Sequence, residues 1–360
     1  MPEASREANA VELPELPASM FRVMDHLIAA DLTARGVVDP LFEAAAAQAC
    51  GTVEGRSRPP SLTEAVSGAI ARRLIARAAG ARAVLATGFP SRSWLFDDLT
   101  ETDGPVGVAV LARVLEEAWE VVPVVITAPA LVPYVQASLR AAGLILGSLE
   151  QALASKPGPP SASVAAVVPF PSDPDVARDA ADQLLSRTAP ALAVAVEMPG
   201  KGADGRYHNV SGREVPPHLV ADADQLFTLA RSRGVLTVGI GDGGNELGMG
   251  NIAETVARVV PQGETFAART PVDFVVAASI SNLGAFALAA ALAARAGRPD
   301  VLDAIDVGRI IERCSYAGAI DGLSARVDPL SDGTPVSLNR AIWDLMRFSV
   351  RQGLKGWTKQ

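Results

Sequence analysis

The sequence predicts an α/β fold: a doubly wound, mostly parallel sheet with helices on both faces and extra N- and C-terminal helices. Three observations carry this. Short apolar runs alternate with amphipathic helical segments from about residue 80 to about residue 295. The runs are continuous in apolar residues, as strands buried on both faces are. The segment after most of these runs is glycine-rich and polar, as loops at the carboxyl rim of such a sheet are. At 360 residues, 49% hydrophobic and 20% charged, the chain can bury one large core.

The elements follow in order. Residues 1–18 are acidic, without a basic n-region or an apolar h-region, and read as a flexible start rather than a secretory or transit segment. Residues 19–60 form an N-terminal helical extension. Its two helical patterns, MFRVMDHLIAADL and LFEAAAAQA, are separated by breaks at Gly36 and Pro40, and a short linker follows at 56–60. Residues 61–355 are expected to be a single α/β catalytic domain. It opens on Ser61-Leu62-Thr63-Glu64, a capping box for a helix that runs to about residue 79 and stops at Gly80. Strands are expected at 83–86, 121–126, 163–168, 192–196, 236–240 and 274–277. The helices between and after them are expected near 106–119, 131–142, 173–187, 219–233, 251–260 and 282–295. A Pro/Gly stretch at 156–161 reads as a linker. Helical segments near 307–313 and 338–350 then cover a sheet edge or the partner of a homo-oligomer.

Charge and composition exclude several classes. A net charge of −8 argues against a phosphate-backbone partner, so no nucleic acid and no anionic membrane surface is expected. The uncharged stretch 274–294 is long enough to raise the question of a membrane span, but Ser279, Ser281, Asn282 and Gly284 divide it into a buried strand and an alanine-rich helix. Cys50 and Cys314 are single and far apart, which gives neither a disulfide framework nor a metal knuckle. Three separated histidines do not make a zinc site. The expected location is cytoplasmic.

The chemistry should sit beyond the strand ends. After the first strand come Thr87-Gly88 and then Thr100 to Gly107, and after the fourth comes a stretch holding Lys201, Arg206 and His208. After the fifth comes Gly241-Asp242-Gly243-Gly244-Asn245-Glu246, and after the sixth Ser281-Asn282. The 241–251 turn has five glycines among eleven residues, so backbone amides can approach a ligand closely while Asp242, Asn245 and Glu246 point inward. It lacks the further glycine spacing and distant acid of a dinucleotide site, and no phosphate-cradling Walker sequence is present. His208 reads equally as a proton carrier and as a residue that holds its own loop. Asp103, Asp242 and Glu246 supply oxygens that suit Mg²⁺ or Mn²⁺.

The segments ETDGPVG (101–107), GKGADGRYHN (200–209), GIGDGGNELGMGN (239–251) and SNLG (281–284) resemble the signature segments of the D-glutamate cyclase C-terminal-like family. The similarity runs from about residue 60 to 350. It implies a hydro-lyase that closes the acidic amino acid D-glutamate to 5-oxo-D-proline with loss of water. Such a ring closure needs a base for the ammonium, a partner for a tetrahedral oxyanion and an acid to release water. Asp242 or Glu246 would take the proton, with Asp103 and His208 as further proton carriers, and the amides of Gly243 and Gly244 would face the oxyanion. Lys201 or Arg206 would pair with one substrate carboxylate. Ser281 and Asn282, at a helix N-terminus, would take the other. The residues slightly favour an acid–base site that requires no metal, active after EDTA treatment and with a bell-shaped pH profile. Two alternatives stay open: a Mg-dependent phosphohydrolase of haloacid-dehalogenase-like type, which would need a D-x-D-x-T nucleophile after the first strand, and a non-catalytic acidic-amino-acid-binding protein.

Overall fold

A computed structural model describes residues 13–51, 61–77, 80–156 and 164–356. The linker expected at 56–60, all but Lys156 of the one at 156–161, and residues 1–12 lie outside the described residues. The main sheet has seven parallel strands: β1 Arg82–Thr87, β2 Val122–Thr127, β3 Ile145–Gly147, β4 Val164–Pro169, β5 Leu192–Val196, β6 Leu236–Gly241 and β7 Phe274–Ala277. Their order is β3-β4-β2-β1-β5-β6-β7. Register is set by apolar pairs such as Val84 opposite Val124 and Leu85 opposite Val194.

The chain leaves β1 toward one edge and returns to start β5 on the other side. The switch therefore lies between β1 and β5, where the loops after these two strands diverge and leave a crevice at the carboxyl rim. All six expected strands are present. β3, with three residues and Ile145 exposed, is too short and too wet to show as an apolar run. Helices cover both faces. The Ser281–Arg295 helix is buried along its whole length, packed against Leu62–Ile75, Pro105–Trp119 and Val336–Lys355. That central position explains its alanine-rich, uncharged sequence. Among the described residues no helix is long and apolar enough to cross a membrane.

The N-terminal helices Ala18–Ala29 and Val38–Cys50 place Met20, Phe21, Met24, Ile28 and Leu41 in the same apolar core as the sheet. Pro40 does not break the second of these; it sits in the first turn, where its missing N–H has no intrahelical acceptor to lose. Half of the expected capping box forms, the Ser61 hydroxyl accepting from the Glu64 amide at 3.2 Å without the reciprocal bond from the Glu64 side chain, and the helix ends at Ile75.

Candidate active site

The residues that converge at the switch are acids. β5 runs straight into Glu197, and β6 into Asp242 and Glu246. Glu101 and Asp103 precede the Pro105–Trp119 helix, and Asp332 sits on the two-residue ribbon Leu330–Ser331/Thr334–Pro335. One cation joins them. Arg35, in the loop between the two N-terminal helices, donates from Nη2 to Asp242 Oδ2 at 3.2 Å and to the Ser279 carbonyl at 2.6 Å. Its loop is fixed by Asp31, whose carboxylate accepts from the Arg35 and Gly36 amides at 3.0 and 2.6 Å.

The turn after β6 has a local logic. Glu246 folds back over it, so that Oε1 accepts from the amides of Asp242 and Gly243 at 3.1 and 2.7 Å and Oε2 from the amide of Gly244 at 2.7 Å. Gly244 has φ +102, and a Cβ there would come within 2.4 Å of Val256 Cγ1, so only glycine fits. Asp103 does the equivalent for the Ser281–Arg295 helix: Oδ2 and Oδ1 accept from the amides of Ser281 and Asn282 at 2.9 and 2.7 Å. Asn282 Oδ1 then accepts from the amides of Gly104 and Gly107, at 3.0 and 2.6 Å, and Ser281 Oγ donates to Glu197 Oε2 at 2.5 Å.

These bonds reassign several expected roles. The amides of Gly243 and Gly244 hold the Glu246 carboxylate and do not wait for an oxyanion. Those of Ser281 and Asn282 hold Asp103, so the helix N-terminus is already occupied by a carboxylate. Lys201 reaches Asp222 at 2.6 Å, beside Tyr207, which donates toward Asp222 and Asp224. Arg206 pairs with Glu214 at the surface, and His208 joins Asp204 at 2.9 Å and the Gly212 carbonyl at 3.3 Å. None of these three lines the crevice. Together they brace the ribbon Tyr207–His208/Glu214–Val215, whose tip does line it, through Asn209 and Val210. For His208 the loop-holding role is therefore the one seen. Thr87 and Gly88 lie behind the crevice, whose lining on that side begins at Phe89; the buried Thr87 hydroxyl has no partner.

The expected trio Asp103, Asp242 and Glu246 does not form one cluster among the described residues: Asp103 and Glu246 fall in two triads that share Asp242. Asp103, Asp242 and Asp332 form one and Glu197, Asp242 and Glu246 the other, each with carboxylate oxygens within 4.8 Å of one another. Sequence reasoning missed Arg35, Glu101, Glu197 and Asp332. Glu197 had a readable signal, an acid directly after a buried β-branched run. Arg35 and Asp332 had none, because only the tertiary fold brings them in.

Crowding shows in the acids' proton affinity. Burial, and then the charge of Asp242, push Glu246 up to about 7, against the three amide hydrogen bonds it accepts. Burial raises Asp103 well above the carboxylate range, with Asp242 adding to it. Burial also raises Glu101, Glu197 and Asp332, each helped by its acidic neighbours. The charge of Asp242 holds Arg35 firmly protonated against burial. Among the described residues lining the crevice, two buried polar atoms have no partner, Arg35 Nε as a donor and Asn245 Oδ1 as an acceptor fixed by its Nδ2 bond to the His208 carbonyl. The acids offer hard oxygen donors alone, which is the chemistry of a Mg²⁺ or Mn²⁺ site.

Two comparisons bear on this arrangement. Over a stretch of 100 residues, 28% of this chain and 16% of the other, the sequence is 45% identical to "D-glutamate cyclase, mitochondrial" from Homo sapiens. The chain thus matches only a small part of that protein's length. A family model described as "D-glutamate cyclase-like, C-terminal" matches residues 24–347. The match begins well before residue 60, and takes in the loop that delivers Arg35. Because it spans the helical extension, the sheet and every acid of the crevice, the chain belongs to the D-glutamate cyclase-like, C-terminal family.

Proposed function

We propose that the protein is an enzyme, a hydro-lyase that closes D-glutamate to 5-oxo-D-proline and water. Family membership supports the class of reaction. The observation that carries it at the site is a small crevice, about 130 Å³, with Glu101, Glu197, Asp242 and Asp332 on its walls and a partnerless Arg35 donor beside them. That volume lies below the range of pockets for drug-sized ligands and leaves room only for a small metabolite. The acids suit an ammonium group, which they attract, and from which they accept the proton that must leave before nitrogen can attack.

In the proposed cycle Asp242, held by Arg35, faces the substrate ammonium, and Glu197 or Glu246 carries the proton. Nitrogen attacks the γ-carboxyl carbon, its second proton passes to one γ-oxygen, and the same acid returns the first proton to that oxygen, which leaves as water. Arg35, whose side chain lines the crevice, rather than the glycine amides, is the protein cation that would face the tetrahedral oxyanion. Six carboxylates against two arginines, Arg35 on Asp242 and Arg92 near Glu101, weigh more heavily toward a divalent cation than three acids in a sequence do. The triad Asp103, Asp242 and Asp332 would hold Mg²⁺ or Mn²⁺, which would supply Lewis-acid polarisation of the γ-carboxyl group and would leave Glu197 and Glu246 to carry the proton. No carboxylate directly ends β1, where a phosphohydrolase of the haloacid-dehalogenase type would place its nucleophile.

The test is to incubate purified protein with D- and with L-glutamate, with and without EDTA, and to read 5-oxoproline by chiral chromatography. The expected result is product from the D-enantiomer alone, lost on chelation and restored by Mg²⁺ or Mn²⁺. Glutamate binding without product would favour the non-catalytic binder. Retained activity after chelation would remove the cation and leave an acid–base site.

A further inference from the structure

Among the residues lining the crevice, Arg35 and Arg92 are the cations, and they lie in different settings. Arg35 is engaged by Asp242. Arg92 belongs to the loop that overhangs the crevice, whose ends are pinned by the Ser91 amide on the Leu99 carbonyl at 2.9 Å. Arg92 Nη2 donates to the Gly322 carbonyl at 3.1 Å, on the opposite wall. Its guanidinium lies 5.6 Å from the Trp94 ring centroid. Arg213, on the tip of the ribbon that His208 and Arg206 brace, lies 4.5 Å from the same ring. One indole thus collects two guanidinium groups at the mouth.

Backbone conformation singles out the same residue. Arg92 has φ +53, Glu197 φ +46 and Asp332 φ +45, in a region that L-residues seldom adopt. At Asp332 this is turn chemistry, since Asp332-Gly333 is the Asp-Gly pair that a two-residue hairpin favours, but Arg92 and Glu197 have no such local reason and line one crevice.

The electrostatic layout then decides orientation. A substrate with an ammonium group and two carboxylates meets a strongly acidic floor. Its γ-carboxyl carbon must reach that floor, because the amine, the proton carriers and Arg35 are there. The α-carboxylate takes no part in bond making and would add a further negative group to a floor where Glu101, Glu197 and Asp332 already crowd one another. We propose that Arg92 binds the substrate α-carboxylate at the crevice mouth, with Trp94 and Arg213 as positioning residues that hold its guanidinium over the opening. This rests on the reading of an acidic amino acid as substrate, and adds which carboxylate each arginine serves.

The test compares D-glutamate with D-isoglutamine, in which the α-carboxylate is a neutral carboxamide and the γ-carboxyl is unchanged, so that ring closure to 5-oxoprolinamide and water still balances. Wild-type protein, Arg92→Met and Arg92→Lys, all retaining a Cβ at the strained position, are assayed for kcat and KM with both compounds. Direct binding is measured by calorimetry, and folding is checked by melting. The expected result is a KM for D-glutamate raised tenfold or more in Arg92→Met, with the KM for D-isoglutamine within twofold of wild type and partial recovery in Arg92→Lys. Arg213→Met should raise the KM for D-glutamate by a smaller factor. Equal shifts for both compounds, or none for either, would overturn the assignment, as would calorimetric affinity for D-glutamate unchanged by Arg92→Met. Absence of 5-oxoproline in wild type would instead sink the cyclase reading, while the calorimetric comparison still decides whether Arg92 holds a carboxylate.

Discussion

Asp242 occupies the point where the two acid triads meet and is the one acid paired with Arg35. Asp242→Asn keeps the volume and the acceptor facing Arg35 but removes the charge. Turnover should fall by on the order of 10²- to 10⁴-fold, while the melting curve stays at or slightly above wild type because one source of acid repulsion is gone. Full activity in a folded variant would remove Asp242 from the mechanism. Lys201 carries the opposite expectation. Its ammonium stabilises the fully buried Asp222 carboxylate, so Lys201→Met should cost about 2–3 kcal/mol of stability and leave KM for D-glutamate unchanged. A raised KM without a drop in Tm would return Lys201 to substrate binding. From sequence the two residues look alike, each a charged group in a glycine-rich loop after a strand. Their partners tell them apart.

Helices bring the acids together through close approach rather than through charge. The Pro105–Trp119 helix crosses Ser281–Arg295 at Gly107, where a Cβ would stand 2.9 Å from both Ala285 Cβ and Asn282 Oδ1. Gly107→Ala should therefore cost about 1–3 kcal/mol, read as a lower urea midpoint with an unchanged slope, and should slow turnover because Asn282 sits beside Asp103. Wild-type stability in this variant would show that the crossing yields freely. The elements themselves were largely legible in the sequence, since six of seven strands are apolar runs long enough to see. β3 and the two-residue ribbons were not, because a pairing of two or three residues leaves no periodicity. The ribbon Leu330–Ser331/Thr334–Pro335 nonetheless places Asp332 in the crevice.

Across the whole molecule, the acid crevice links stability to pH and to cations. Glu246 is pushed up to about 7 in the folded protein, above its ordinary value near 4.5 in an unfolded chain. Between these values the folded state binds more protons than the unfolded one, so this group's contribution to stability falls as pH rises from about 4.5 to about 7. A divalent cation that requires ionised ligands should offset that loss. Adding Mg²⁺ or Mn²⁺ should raise Tm more at pH 8 than at pH 5, by several degrees at saturating cation; an equal or smaller gain at pH 8 in calorimetric scans would argue against a cation in the triad Asp103, Asp242 and Asp332. The sequence by itself determined the α/β class, the strand-to-loop rhythm and the glycine-rich acidic turn, because these depend on local hydrophobic periodicity and on turn chemistry within a few residues. It also carried the family resemblance. Only the tertiary structure decided which charges share the crevice. Arg35 and Asp242 are 207 residues apart and Asp103 and Asn282 nearly as far. The amides read as an oxyanion site turned out to hold Glu246, since a buried donor takes the nearest acceptor that packing offers, and packing is set by the whole chain.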